Sequence, residues 1–227
     1  MEEKLKHMLQ LQDTLNKKIN EDWKDIRTED DFIRAAWIEC AELVDSLPWK
    51  WWKKQTPDMD NVKIEVVDIW HFLLSLILQK TTNIEEATKS HLMTYFKQGL
   101  EMNLQNLNID PVHIHHYLGE TDQYKRLIYT AERIVENLLR KNLQEAMFFF
   151  GLLVKDVMSF EELYYLYVGK NILNHIRQEK GYKTGNYKKT INGLEDNHYL
   201  LQIVKDVNSV EELEEKIRNR FKQLREE

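Results

Sequence analysis

The sequence predicts an all-α fold, and three observations carry that prediction. The chain has only 7 glycines and 3 prolines among its 227 residues, so residues that interrupt helices are scarce. Apolar side chains recur at helical spacing along most of the chain, and the strict alternation that is typical of half-buried strands is absent. With 42% hydrophobic residues the chain can form a substantial core. We therefore expect one domain over residues 1–227.

Three predicted helices lie before residue 81. Residues 3–20 place apolar side chains on one broad stripe, which predicts an amphipathic helix. A second helix over 30–47 ends before Pro48, because the residue preceding a proline avoids helical geometry. A tryptophan-rich connector, 48–54, follows it. Residues 61–80 form the most apolar predicted helix, which we expect at the centre of the fold.

Capping signals predict most of the later helices. A Ser or Asn followed three residues later by Glu is a capping box, which satisfies backbone N–H groups at a helix N-terminus. Such boxes begin the helices predicted from 83 to about 105, over 159–179 and over 209–226. Pro111 at a first helical position begins a short helix. Helical spacing predicts two more helices, over 121–140 and 142–157.

The stretch 180–197 is predicted to be a loop. It contains three of the seven glycines. Over 170–189 there are six Lys or Arg residues against one Glu, a local charge of +5 in a chain whose net charge is −6. Lysine and arginine neutralise phosphate oxygens, and glycine allows the backbone to approach a ligand closely. These features together indicate an anion-binding lid.

The bulk composition excludes several classes of function. A net charge of −6 disfavours nonspecific nucleic-acid binding by the whole surface. One cysteine, Cys40, excludes an internal disulfide and fits a reducing compartment. The N-terminus has no signal-peptide pattern, and no apolar run reaches the roughly 20 residues that a membrane span needs. We expect a cytoplasmic protein without a membrane partner.

Two acidic pairs interrupt the most apolar predicted helices. Glu39 and Glu42 form one pair, and Glu65 and Asp68 form the other. The i, i+3 spacing places both carboxylates of a pair on one side of a helix. Buried carboxylates are unfavourable unless they are paired or bind a cation. Two such pairs on facing helices would provide oxygen ligands of the kind that magnesium prefers, in a site suited to phosphate esters.

Each pattern also has a simpler interpretation. The acidic pairs could form salt bridges or a solvated helix face. Asp68 with His71 gives one imperfect copy of the Glu-x-x-His motif, which leaves a di-iron site or a hydrogen-bonded core histidine as alternatives. Trp49, Trp51 and Trp52 lie among lysines and are either core residues or a stacking wall for a base.

Lys170, Asn174 and Arg177 share one helix face by their spacing of four and then three. This face continues toward the basic loop. A solvated face is one alternative. A nucleic-acid patch with Tyr182 and Tyr187 interleaved is another, although the acidic balance of the remaining chain weighs against it.

Six sequence blocks carry the most specific signal. They are LQDTLN (11–16), ECAELVDS (39–46), WKWWK (49–53), EVVDIWHF (65–72), GKNILNHIRQEKGYK (169–183) and YKKTINGLEDN (187–197). As an ordered set they resemble the dimeric all-α dUTPases, which are relatives of the MazG-type nucleotide pyrophosphatases. Residues 81–150 carry no signature of this family.

The resemblance implies roles for individual residues. The implied catalytic, magnesium-binding acids, for two or three ions per active site, are Glu39, Glu42, Glu65 and Asp68. Among them we favour Glu42 as the group that takes a proton from water. The implied uracil pocket consists of Gln12, Asn16, Trp51 and His71. Asn174 is implied to hold the nucleoside. The residues implied to close over sugar and phosphates are Lys170, Arg177, Tyr182, Lys189 and Asn197.

The resemblance also implies a fold and a reaction. The fold is an all-α bundle like that of the nucleotide pyrophosphatases, with four helices around the metal site. Its core helices would span about 3–80 and 121–205, with 81–120 either mobile or variable within the family. The reaction is hydrolysis of dUTP to dUMP and pyrophosphate, and of dUDP to dUMP and phosphate, by a homodimer. The alternatives are a MazG-like pyrophosphatase with another base preference and a non-enzymatic helical interaction protein.

Overall fold

A computed structural model describes residues 1–105, 107 and 109–226, and most of these residues are α-helical. The helices are α1 (Glu2–Ile19), α2 (Trp23–Ile26), α3 (Glu29–Asp45), α4 (Met59–Gln79), α5 (Ile84–Thr88), α6 (His91–Glu101), α7 (Pro111–Gly119), α8 (Gln123–Leu139), α9 (Leu143–Val157), α10 (Phe160–Glu179), α11 (Asp196–Val204) and α12 (Val210–Glu226). A short antiparallel hairpin joins β1 (Thr190–Ile191) to β2 (Leu194–Glu195). The all-α prediction is confirmed.

Helix α4 lies at the centre of the fold, as its composition predicts. It packs against α3 along much of its length, and α1 and α10 pack against it and against each other. The second half of α4 is buried almost all round, because apolar residues occupy nearly every position there. These four helices, α1, α3, α4 and α10, carry most of the candidate site.

Helices α6 and α9 pack around the Trp70 side chain of α4. The Trp70 ring of α4 stacks on Phe96 and Phe150, with ring centroids 4.6 and 5.1 Å apart. Two glycines allow α6 and α9 to approach closely. A Cβ atom added to Gly99 would lie 2.0 Å from the Phe148 carbonyl oxygen, and one added to Gly151 would lie 2.3 Å from the Phe96 carbonyl oxygen. Only glycine fits at this crossing.

The capping signals mark helix starts in the structure. Ser159 accepts a hydrogen bond from the Glu162 backbone N–H at 3.1 Å, and Ser209 does the same for Glu212 at 3.1 Å. Pro111 occupies the first turn of α7, as predicted. These caps satisfy N–H groups that have no partner within the helix.

The structure differs from the sequence prediction in three places. The helix predicted from 83 to about 105 is two helices, α5 and α6, because the Ser90 side chain caps a new N-terminus by accepting from the Met93 N–H at 3.3 Å. Helices α2 and α11 were not predicted. The predicted loop contains the β1–β2 hairpin, whose turn uses positive φ angles of 50° at Asn192 and 81° at Gly193.

The segment 81–120 contains α5, α6 and α7. Its residues 106 and 108 lie outside the described residues. Whether this segment is mobile or varies within the family stays a prediction. Within the described residues, every helix is too short or too polar to span a membrane.

Candidate functional site

A cavity of about 380 Å³ lies between α1, α3, α4, α10 and the segment that follows α10. Polar and charged side chains form most of its wall. The lining residues are Gln12, Leu15, Asn16, Ile19, Glu39, Glu42, Asn61, Glu65, Asp68, His71, Phe72, Lys170, Asn174, Arg177, Gln178, Tyr182, Lys189, Glu195 and Asn197. The cavity therefore collects side chains that are up to 185 positions apart in sequence.

The four predicted acids meet in this cavity, because α3 and α4 pack side by side. Carboxylate oxygens of Glu39, Glu42 and Glu65 lie within 4.8 Å of one another. Glu65 is buried, whereas Glu42 is exposed. Asp68 differs from the other three, since its Oδ2 accepts a hydrogen bond from Lys170 Nζ at 2.8 Å. A cation of the protein itself thus occupies one side of the acidic group.

Burial and like charge raise the pKa of two of these acids. Burial is the larger cause for both, followed by the negative charge of Asp68. The pKa of Glu39 rises to about 7, with a further contribution from Glu42. The pKa of Glu65 rises to about 8, with a further contribution from Glu39. A site with this arrangement favours the binding of protons or cations.

An amide cluster forms the wall on the α1 side. Gln12 and Asn16 of α1 both donate to Ser75 Oγ of α4, at 3.1 and 3.0 Å. Gln12 also donates to Asn16 Oδ1 at 3.0 Å. The Tyr167 hydroxyl of α10 donates to Gln12 Oε1 at 2.8 Å. All four side chains are buried, so the cluster is rigidly held by hydrogen bonds on three helices.

His71 adds one acceptor to this wall. Its Nδ1–H donates to the Val67 carbonyl oxygen at 2.8 Å. Its Nε2 is buried and has no hydrogen-bond partner in the described part of the chain. Burial lowers the pKa of the ring to about 4, so the ring is neutral at physiological pH. Nε2 is therefore available to accept a hydrogen bond from a ligand donor.

The predicted basic face of α10 also lines the cavity. Lys170 Nζ donates to Asn197 Oδ1 at 2.9 Å as well as to Asp68. Arg177 makes a bidentate ion pair with Asp196, at 2.9 and 2.6 Å. Burial alone would raise the pKa of Asp196, but the hydrogen bonds and charge of Arg177 hold that pKa below its ordinary value. Arg177 is thereby fixed in one orientation.

The segment after α10 contributes Tyr182 and Lys189. The Tyr182 ring lies 5.9 Å from the Arg177 guanidinium and 5.8 Å from Lys189 Nζ. Lys183 instead donates to the Ile19 carbonyl oxygen at 2.8 Å, at the C-terminal end of α1. Of these two lysines, Lys189 lines the cavity, and Lys183 fastens the segment to α1.

The structure brings together nine of the ten predicted substrate-binding residues. These nine are Gln12, Asn16, His71, Lys170, Asn174, Arg177, Tyr182, Lys189 and Asn197. Trp51 does not line the cavity. Its side chain is 91% exposed, and its ring packs edge-on against Trp52 at 5.6 Å.

Sequence reasoning missed several residues that shape the site. Asn61 donates to Glu65 Oε1 at 3.0 Å, and its position one turn before Glu65 could have indicated this contact. Asp196 gave no such signal, because its ion pair with Arg177 joins positions that only the tertiary structure brings together. Ser75 and Tyr167 gave none either, since hydroxyl side chains are common within helices.

A comparison with protein families adds an independent finding. The family model described as dUTPase matches residues 4–182, more than three quarters of the chain. The matched range includes the acids on α3 and α4, the amide cluster and the basic face of α10. Lys189, Asp196 and Asn197 lie beyond it. No curated protein matched the sequence.

Proposed function

This chain belongs to the dUTPase family and is a dUTP diphosphatase, and we propose that it converts dUTP to dUMP and pyrophosphate in the cavity between α1, α3, α4 and α10. One observation supports this location above all others. The cavity joins an acidic cluster on α3 and α4 to neutral hydrogen-bonding groups on α1 and to cations on α10. A nucleoside triphosphate needs these three kinds of partner, for its metal ions, its base and its phosphates.

The acidic cluster fits magnesium by the chemistry of its donors. All four groups, Glu39, Glu42, Glu65 and Asp68, offer hard carboxylate oxygens, and three of them lie within 4.8 Å of one another. Burial, and then repulsion between the acids, raises the pKa of Glu39 and of Glu65, and a bound divalent cation would offset both effects. We propose that these four residues hold two or three magnesium ions.

When bound, magnesium supplies Lewis-acid polarisation of phosphoryl oxygens and neutralises negative charge. The chain's own residues supply the remaining functions. Glu42, the most exposed acid of the cluster, accepts the proton of the attacking water. Lys170, Arg177 and Lys189 offset the negative charge that develops on the departing pyrophosphate. The Tyr182 ring contacts two of these three cations, Arg177 and Lys189, and helps to hold them in place.

The amide wall supports recognition of uracil. Uracil presents an N–H between two carbonyl oxygens. Asn16 offers both a donor and an acceptor on the cavity surface, and His71 Nε2 offers a further acceptor. A pocket that forms hydrogen bonds with the base discriminates strongly against bases that lack the matching groups.

Release of pyrophosphate from a panel of dUTP, dCTP, dTTP and dUDP, with and without magnesium, tests the proposal. We expect pyrophosphate from dUTP only in the presence of magnesium, and phosphate rather than pyrophosphate from dUDP. Glu65→Gln should reduce turnover at least 100-fold, on the order of the loss of one strong transition-state contact, because a neutral amide binds magnesium poorly. Glu132→Gln, at an exposed position on α8, is the matched control.

Full activity of Glu65→Gln would remove this residue from the site. Equal turnover of dUTP without magnesium would refute the metal assignment.

We also propose that the enzyme is a cytoplasmic homodimer that acts on free nucleotides. The location rests on the single buried cysteine, Cys40, which suits a reducing compartment. The dimer rests on the family resemblance. Light scattering should give twice the mass of one chain, and a monomeric mass at micromolar concentration would contradict the dimer.

A further inference from the structure

We propose that Ser75 and Tyr167 hold the amides of Gln12 and Asn16 in a single orientation, and that this orientation sets the preference for uracil over cytosine. The proposal rests on dUTP hydrolysis in this cavity. Ser75 and Tyr167 are fully buried and absent from the cavity wall. They act on the base through Gln12 and Asn16, as positioning residues.

The hydroxyl of Ser75 has no hydrogen-bonding capacity left. A serine hydroxyl donates one hydrogen bond and accepts two. Ser75 Oγ donates to the His71 carbonyl oxygen at 3.0 Å. It accepts from Gln12 Nε2 at 3.1 Å and from Asn16 Nδ2 at 3.0 Å. Because its hydrogen is directed to His71, Ser75 requires an N–H from both amides.

Tyr167 fixes the opposite end of the Gln12 amide. Its hydroxyl has one hydrogen and two acceptors within reach, Gln12 Oε1 at 2.8 Å and the Met8 carbonyl oxygen at 3.0 Å. Donation to Gln12, the shorter contact, favours the orientation in which the oxygen of this amide faces Tyr167. Gln12 Nε2 then donates its second hydrogen to Asn16 Oδ1 at 3.0 Å. The position of the Asn16 oxygen is therefore fixed from Gln12, and the position of its nitrogen is fixed from Ser75.

In its fixed orientation, the Asn16 amide suits hydrogen bonding to uracil but not to cytosine. Asn16 retains one N–H and one oxygen lone pair without a partner in the described residues. Gln12 Nε2 and Ser75 Oγ lie 3.1 Å apart and contact the oxygen and the nitrogen of this amide, so the N–H and the lone pair that remain point in different directions. The remaining lone pair can accept from N3–H of uracil, whereas N3 of cytosine is itself an acceptor. An Asn16 amide turned by half a rotation would pair with cytosine equally well, so discrimination depends on preventing that rotation.

Replacement of Ser75 tests this inference. Ser75→Ala removes the group that distinguishes the two amide orientations but leaves Asn16 in the cavity. We expect the ratio of kcat/KM for dUTP to kcat/KM for dCTP to fall roughly 5- to 150-fold, the range of discrimination that hydrogen bonds to a base give. Tyr167→Phe should lower the same ratio, because it frees the Gln12 oxygen while keeping the ring against His71, 4.4 Å away.

Thr130→Val is the matched control. Thr130 is also fully buried and its hydroxyl also donates to the carbonyl oxygen four residues earlier, Arg126 O at 2.8 Å, but it lies on α8 away from the cavity. In Thr130→Val, the ratio of kcat/KM for dUTP to kcat/KM for dCTP should equal that of the wild type. Circular dichroism verifies that each variant is folded.

Two results would overturn the inference. One is an equal loss of kcat/KM for both nucleotides in Ser75→Ala, which would show a purely structural role. The other is an unchanged ratio in both Ser75→Ala and Tyr167→Phe. A wild-type enzyme that turned over dCTP as well as dUTP would instead refute the proposed base preference, before any variant is measured.

Discussion

Carboxylate oxygens of Glu39 and Glu65 lie within 4.8 Å of each other. Burial, the charge of Asp68 and the charge of one further glutamate raise the pKa of each group, so the metal-free site favours a bound proton. Without a divalent cation the site relieves its own repulsion in this way, and through the ion pair between Asp68 and Lys170.

This arrangement predicts how the stability of the metal-free protein depends on pH. The pKa values of Glu39 and Glu65 in the folded protein, about 7 and about 8, exceed the ordinary value of 4.5. Above pH 4.5 the folded state therefore holds protons that the unfolded state has released, and this contribution to stability is lost progressively as the pH rises from about 4.5 through about 8. We expect Tm, measured by calorimetry with a chelator present, to fall by several degrees over that interval.

Two further measurements define this effect. Glu65→Gln should flatten the fall in Tm, because glutamine does not ionise and can still accept from Asn61. Added magnesium should flatten it in the wild type. A Tm that stays constant or rises across the same interval would contradict the prediction.

At the residue scale, the sequence revealed charges but not their partners. Glu39, Glu42, Glu65 and Asp68 were predictable, because a carboxylate within an apolar helix needs an explanation. Asp196 was not, because its role depends on an ion pair with Arg177, 19 positions away, that only the tertiary structure creates. Ser75 and Tyr167 are ordinary members of apolar helices, and their roles arise from contacts between helices.

At the scale of elements, the close crossing of α6 and α9 makes a specific prediction. Gly151→Ala places a Cβ atom 2.3 Å from the Phe96 carbonyl oxygen, so one helix must move. We expect a loss of about 1–3 kcal/mol or more in the free energy of unfolding, as for other overpacked sites. Urea denaturation measures this loss.

Gly119→Ala provides the control for that substitution. Nothing lies within 4 Å of a Cβ atom added at Gly119, so its effect should stay within about 0.5 kcal/mol. Equal effects at the two glycines would show that α6 and α9 separate easily.

Helix boundaries were predictable where a capping side chain marks them. The starts of α10 and α12 follow Ser159 and Ser209 as expected. The break between α5 and α6 was not predicted, because a serine such as Ser90 within a helical pattern can equally be a solvent-exposed residue in the middle of one helix. The β1–β2 hairpin has two residues per strand, too few for alternation to be visible.

At the scale of the whole molecule, the buried residues form one continuous cluster that extends from Leu5 to Phe221. This continuity supports the proposal of a single domain over residues 1–227, of which 106, 108 and 227 lie outside the described residues. We expect one cooperative unfolding transition, with coincident far-UV and near-UV circular dichroism curves. A separate early transition would show that part of the chain, such as 81–120, folds independently.

The arrangement of helices was only partly predictable. The apolar composition of α4 predicted its central position, and the two acidic pairs led to the hypothesis that their helices face each other. They gave no information on how α6, α8 and α9 surround that pair, because the direction in which a helix packs depends on side-chain shapes on both partners.

The exposed indoles of the connector have a consequence for spectroscopy. Trp51 and Trp52 are 91% and 56% exposed, whereas Trp23 and Trp70 are 2% and 0% exposed. Four of the six tryptophans thus fall into two classes of fluorophore, one in water and one in an apolar interior. A soluble quencher such as iodide reaches the first class and spares the second. The connector between the two acidic helices can therefore be followed optically during nucleotide binding, without any added label.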